Sequence, residues 1–253
     1  MTDTGVVERV LRRDRVVVLG SIAAITALAW LYLFGVAAGT DGMADMARLR
    51  PWTGAEAAMT VVMWAVMMVG MMLPSATPMV LLYARVCRKS LDMAAPDTGA
   101  FVMGYVTVWA LFSAAATALQ WGLEQAALLS PTMTSASPFF AGIVLVLAGL
   151  YQWTPAKHAC LSRCRSPVEF LSTHWRPGAG GAFAMGLRHG AFCVGCCWAL
   201  MALLFVGGVM NLLWVALITV FVLLEKVVPF GHGVGKTAGA LLALAGLAVI
   251  VAA

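Results

Sequence analysis

The sequence predicts an all-α membrane protein, a polytopic bundle of about seven transmembrane helices. Three observations carry this. Of 253 residues, 62% are hydrophobic and 11% are charged, against about 45–50% and about 25% in soluble domains. The apolar residues come in long solid runs, not in alternation, so helices fit and a closed barrel does not. The basic residues gather in alternate gaps between the runs. A water-soluble fold could not cover this much apolar surface. A soluble enzyme, a nucleic-acid-binding domain and a disordered chain are therefore excluded, and nucleic acid is no expected partner. The net charge of +5 reads as membrane orientation rather than as affinity for an acidic partner.

A helix needs about 20 mostly apolar residues to cross a bilayer. The candidates are Val16–Val36, Ala58–Tyr83, Ala100–Gly122, Phe139–Trp153, Met185–Val206, Met210–Val228 and Ala238–Ala252. The fourth is short and leans on its flanks. The first is read as a span, since no small-residue cleavage pattern and polar mature chain follow it. All Lys and Arg except Arg48 and Arg50 fall on one side of this alternation. The positive-inside rule then places the N-terminus in the cytoplasm and the C-terminus outside. Residues 1–253 form one integral-membrane domain, in contact with lipid. Residues 1–15 are its cytoplasmic N-terminal segment and 154–184 a cytoplasmic loop with short interfacial helices.

Between the first two spans, Asp41-Gly-Met43-Ala-Asp45-Met46 is read as an ordinary loop. The second span carries Met59, Met63, Met67 and Met71 at four-residue steps, with Met68 and Met72 as a second row. Methionine at helical spacing is ordinary core packing. Facing a thiol site, the same row could pass Cu(I) between thioethers. Pro74 lacks an N–H, so the carbonyl of Gly70 loses its helical partner and a kink is expected, with Ser75 or Thr77 near it.

The loop after the fourth span has helix punctuation. Thr154-Pro155 and Ser166-Pro167-Val-Glu169 place caps before Pro at the first helical position, the second with a capping-box Glu. Two short helices follow, about Pro155–Arg165 and Pro167–Trp175. Leu161, Val168, Leu171 and Trp175 would face the bilayer surface, with Arg163, Arg165 and Arg176 on lipid phosphates. Cys160 and Cys164 share one face of the first of these helices. On a reducing cytoplasmic side a structural disulfide is not expected there. Metal binding, thiol exchange and mere tolerance stay open.

The fifth span reads His189-Gly-Ala-Phe-Cys193-Val-Gly-Cys196-Cys197-Trp-Ala-Leu-Met201. Helical geometry puts His189, Cys193, Cys196 or Cys197, and Met201 on one stripe. From His189 to Cys197 the stripe is about 12 Å long, so one metal could touch only two or three neighbours. Gly186, Gly190 and Gly195 let another helix come close. Thiolate, imidazole and thioether are soft to borderline ligands, suited to Cu(I) or Zn(II). Buried cysteine is also plain packing, and Cys193-Val-Gly-Cys196 could be a redox pair. Glu225-Lys226 ends the sixth span; a buried acid there would be functional, while near the inner interface water could reach both, and the two readings stay open.

These residues carry a resemblance. Cys160-Leu-Ser-Arg-Cys164-Arg-Ser-Pro, the His189 to Met201 stretch, Met210-Asn211-Leu, Glu225-Lys226-Val-Val-Pro229 and the Met63 to Ser75 run resemble a family of uncharacterised bacterial integral membrane proteins described as predicted metal-binding. The resemblance covers the second through sixth spans. It implies a bacterial inner (cytoplasmic) membrane location and a site at Cys193, Cys196 and Cys197.

The leading expectation is a membrane protein that binds a soft transition metal, Cu(I) favoured and Zn(II) second, for handling, delivery or transport. Its candidate ligands are His189, Cys193, Cys196, Cys197, Cys160, Cys164, Met63, Met67, Met71 and Met201. A metal donor or acceptor, or a membrane-complex protein, would be its partner. The sequence holds no P-loop to power a pump. A membrane thiol-redox or electron-transfer protein, and a structural subunit of a membrane complex, are the alternatives. No nucleophile–His–acid set stands out in the spans, so a catalytic hydrolase is not expected.

Overall fold

The computed structural model describes residues 4–40, 52–89, 96–130, 133–229 and 231–253. The Asp41–Met46 loop, Arg48 and Arg50 lie outside these. The described residues form α1 (Thr4–Thr40), α2 (Gly54–Lys89), α3 (Pro96–Gln125), α4 (Pro138–Tyr151), α5 (Pro155–Arg165), α6 (Pro167–His174), α7 (Gly178–Ala202), α8 (Leu204–Gly207), α9 (Leu212–Val227) and α10 (Gly231–Ala252). They contain no strand, only an isolated bridge between Leu129 and Ser135. The all-α bundle is as expected.

Local chemistry sets the helix ends. Pro138 opens α4 behind Ser137, whose side chain accepts from the Phe140 N–H. Thr154 does the same for Lys157 in α5, and Asn211 for Trp214 in α9. At α2, Thr53 and Glu56 exchange backbone bonds as a capping box. The box expected at Ser166 does not form. Ser166 makes no side-chain cap bond, and Glu169 pairs with Arg163 at 3.2 Å instead. An exposed guanidinium offers that carboxylate a charged partner, where the cap offers a neutral one.

Five of the helices are long and apolar enough to cross a membrane: α1, α2, α3, α7 with α8, and α10. α4 and α5 together pass the same test but meet at 64°. α9, at 16 residues, falls short of the span expected there. Large apolar side chains lie on the outside, among them Leu28, Leu31, Leu111, Leu147, Leu213 and Leu241.

α7 is the hub, packed by α3, α5, α4 and α9. Glycine makes the α3–α7 contact: a Cβ on Gly186 would stand 2.0 Å from the Phe101 carbonyl oxygen, and one on Gly104 2.2 Å from that of Phe183. Gly190 meets Val108 of α3, while Gly195 faces Cys160 of α5. So the three glycines of this helix do admit neighbours, from two sides. α4 and α10 cross in the same manner, Gly149 against Gly239 and Gly142 against Gly246.

The loop helices α5 and α6 form as expected, yet they do not lie with their apolar faces outward. Leu161 and Leu171 are buried in protein, and only Val168 of that set is strongly exposed. Arg165 donates to the carbonyls of Glu225, Val228 and Pro229 at the end of α9. The 64° turn after α4 brings α5 against α7, so these side chains meet helices before they could meet lipid.

Candidate metal centre

His189, Cys193, Cys196, Cys197 and Met201 are all buried on α7. In a helix, side chains lean toward the N-terminus. The Cys196 and Cys197 thiols accordingly donate to the Cys193 carbonyl, at 3.1 and 2.9 Å. This draws three sulfurs to the level of one turn, shortening the stripe that axial rise alone spreads out.

Three other helices close on that turn. From α2, the Met72 sulfur stands 4.0 Å from the Cys197 sulfur. Two sulfurs sharing one metal at about 2.3 Å each stand about 3.8–4.6 Å apart, according to the angle. The separation of that pair falls within this range. From α3, the Tyr105 hydroxyl lies 3.1 Å from the Cys193 sulfur and 3.0 Å from the Met72 carbonyl oxygen, to which it donates. From α9, the Lys226 ammonium donates to the Cys193 sulfur at 2.8 Å and to the Ser75 hydroxyl at 3.0 Å. Ser75 donates in turn to the Met72 carbonyl. α2 runs unbroken through Pro74 and Pro78, and the carbonyl that gathers hydroxyls is that of Met72, two residues beyond Gly70.

From α5, the half-buried Cys164 packs against this core. Cys160, one turn earlier on α5, lies over Gly195; a Cβ there would stand 2.7 Å from its sulfur. The two cysteine groups, in different sequence segments, thus meet where α5 packs on α7. All six cysteines are free thiols.

The other expected ligands lie near without joining this cluster. The His189 ring packs among Phe101, Tyr105 and Phe170. Its Nδ1 is buried and makes no hydrogen bond. Met63, Met67 and Met71 are buried, but the thioether touching a thiol is Met72, of the second row. Met201 is buried one turn beyond Cys197. Among the described residues, no three His, Cys, Asp or Glu side chains already surround a common point suited to an ion.

Glu225 and Lys226 are both buried, so of the two readings left open for them the hydrated one falls. They also point apart. Glu225 pairs with buried Lys157 of α5 at 2.6 Å, and Lys157 bonds Gln152 as well. Consecutive helical residues diverge by about 100°, so one faces α5 and the other the thiols. Tyr105, Ser75, Met72 and Lys226 are the site residues absent from the expected ligand set. A lysine closing a solid apolar run was the available signal for the last. On α3 the reading also passed over a buried polar face: Ser113, Thr117 and Gln120. Gln120 bonds the buried Trp64 indole at 2.8 Å and the Glu124 carboxylate at 2.9 Å.

Fold and site together define a helical bundle that gathers thiols, a thioether and the Lys226 ammonium at one buried turn. Residues 61–249 match the PpoB2 family, described as copper chaperone, and the chain belongs to that family. The match runs from α2 into α10 and includes every candidate ligand. The chain matches no curated protein and no solved structure.

Proposed function

We propose that this protein is a bacterial inner-membrane copper-handling protein that holds Cu(I) as cargo at Cys193, Cys197 and Met72. Cys164 and Cys196 are the thiols to or from which the ion transfers. The observation that carries the reading is the Met72 thioether of α2 standing 4.0 Å from the Cys197 sulfur of α7, on a buried turn against which α5 packs Cys160 and Cys164. A mixed thiol–thioether set is soft and suits Cu(I) better than Mg(II) or Ca(II). Membership of a family described as copper chaperone supports the same metal. His189, Met201, Met63, Met67 and Met71 border the route of the ion, and Cys160 the outer turn of α5. Delivery to, or receipt from, a second metal-binding protein is the role a chaperone description implies. The apolar exterior supports a lipid-embedded bundle, with the basic segments on the cytoplasmic side.

The test is metal content by mass spectrometry on detergent-purified protein, wild type beside C193S/C197S, after anaerobic loading with Cu(I). Near-stoichiometric copper in the wild type and little in an equally folded variant is expected. Negligible metal in both, with Cu(I) and with Zn(II), would overturn the proposal.

A further inference from the structure

We infer that Lys226 selects the valence of the cargo, favouring a monovalent ion over a divalent one at the thiol site. The inference rests on the metal-binding reading above and deepens it. The Lys226 ammonium sits 2.8 Å from the Cys193 sulfur and is held there from a second helix by Ser75 at 3.0 Å. No carboxylate bonds it among the described residues. Glu225, its neighbour in the chain, is occupied by Lys157 on the other face of α9. Arg165, the nearby cation of α5, is spent on the carbonyls that end α9. The charge inside this turn is therefore set by the metal, the thiolates and Lys226.

The count is simple. Two thiolates, from Cys193 and Cys197, with neutral Met72 and one Cu(I) carry a charge of minus one, and the ammonium brings the assembly to zero. With Zn(II) the same ligands are neutral, and the ammonium leaves an unbalanced positive charge in the interior. Unbalanced charge in a medium of low dielectric is strongly disfavoured. Without the ammonium the order reverses: the divalent complex is neutral and the monovalent one is not. Lys226 touches a ligand sulfur and not the ion, so it acts as a positioning residue through charge.

The test compares Cu(I) and Zn(II) dissociation constants of the detergent-purified protein, by competition with chromophoric chelators under anaerobic conditions. Wild type, K226M and K226R are measured side by side, with K226Q in place of K226M should the latter fold poorly. In K226M the preference for Cu(I) over Zn(II) falls about tenfold or more, the change that 1.4 kcal/mol produces, while K226R keeps the wild-type preference. A K226M that binds both ions more tightly or more weakly with the ratio unchanged would overturn the inference. So would a K226R that loses the preference as fully as K226M, since charge would then not be the cause. A wild type that binds neither ion would overturn the metal-binding reading itself, and this inference with it.

Discussion

Two lysines of this bundle are buried, and they are answered by different chemistry. Lys157 of α5 lies 2.6 Å from the Glu225 carboxylate, a fixed anion, and bonds Gln152 as well. Lys226 of α9, one residue beyond that glutamate, donates to a cysteine sulfur and a serine hydroxyl. A buried ammonium needs an anion or a full set of acceptors. The carboxylate offers Lys157 a permanent partner, so that pair fastens α5 to α9. The thiol offers Lys226 a partner of a kind that can also ligate a metal, and under the proposed function that contact belongs to a site that changes occupancy. The difference teaches that burial of charge alone does not mark function; the nature of the answering group does.

Breaking the first pair should give the largest effect. Glu225→Gln leaves Lys157 buried without its anion, and loss of one partner of a buried pair costs about 3–5 kcal/mol. Thermal unfolding in detergent should fall steeply, and Lys157→Met on top of it should recover part of the loss. Copper bound per folded molecule should stay as in the wild type. A stability equal to wild type would show that the pair fastens nothing.

On the other side of the comparison, Cys193→Ser removes the sulfur that Lys226 and Tyr105 converge upon. Cu(I) affinity should drop about a hundredfold or more, equivalent to about 2.7 kcal/mol, with far less effect on unfolding than Glu225→Gln. Competition with a Cu(I) chelator measures it, and unchanged affinity would remove Cys193 from the ligand set.

A smaller effect should separate the two methionine rows. Met72→Leu keeps the volume and removes one thioether, lowering Cu(I) affinity about tenfold, or about 1.4 kcal/mol. Met71→Leu, equally buried, should change the same titration little. Equal effects from both would return the ladder to plain packing. The smallest change is expected of Cys160→Ser. It should leave copper stoichiometry as in the wild type, because Cys160 packs on Gly195 a turn from the cluster. A halved stoichiometry would move Cys160 into the site.

Much of this molecule was legible in the chain. Solid apolar runs marked the long helices, and Thr154-Pro155 and Ser166-Pro167 marked the starts of α5 and α6. The cysteine stripe of α7 followed from helical periodicity, and all its members are buried as that stripe implied. Periodicity assigns a residue to a face of its own helix and says nothing of what that face meets. For that reason Leu161 and Leu171 were assigned to the bilayer surface and are found in the core. For the same reason the first methionine row drew attention when the second row touches the thiols.

The sequence by itself determined the long helices, the starts of α5 and α6, the apolar exterior and the sulfur-rich face of α7, because each depends on neighbours three or four residues apart. Only the tertiary structure decided that Cys160 meets Gly195 on the cysteine turn, that Met72 faces Cys197, and that Glu225 and Lys226 serve opposite sides of α9. These contacts join residues far apart in the chain. They rest on how closely glycine lets α3 approach α7, and on the 64° turn that folds α5 against the bundle. Local periodicity fixes neither the rotation of one helix against another nor the angle at a break between helices, and those two quantities bring the sulfurs together.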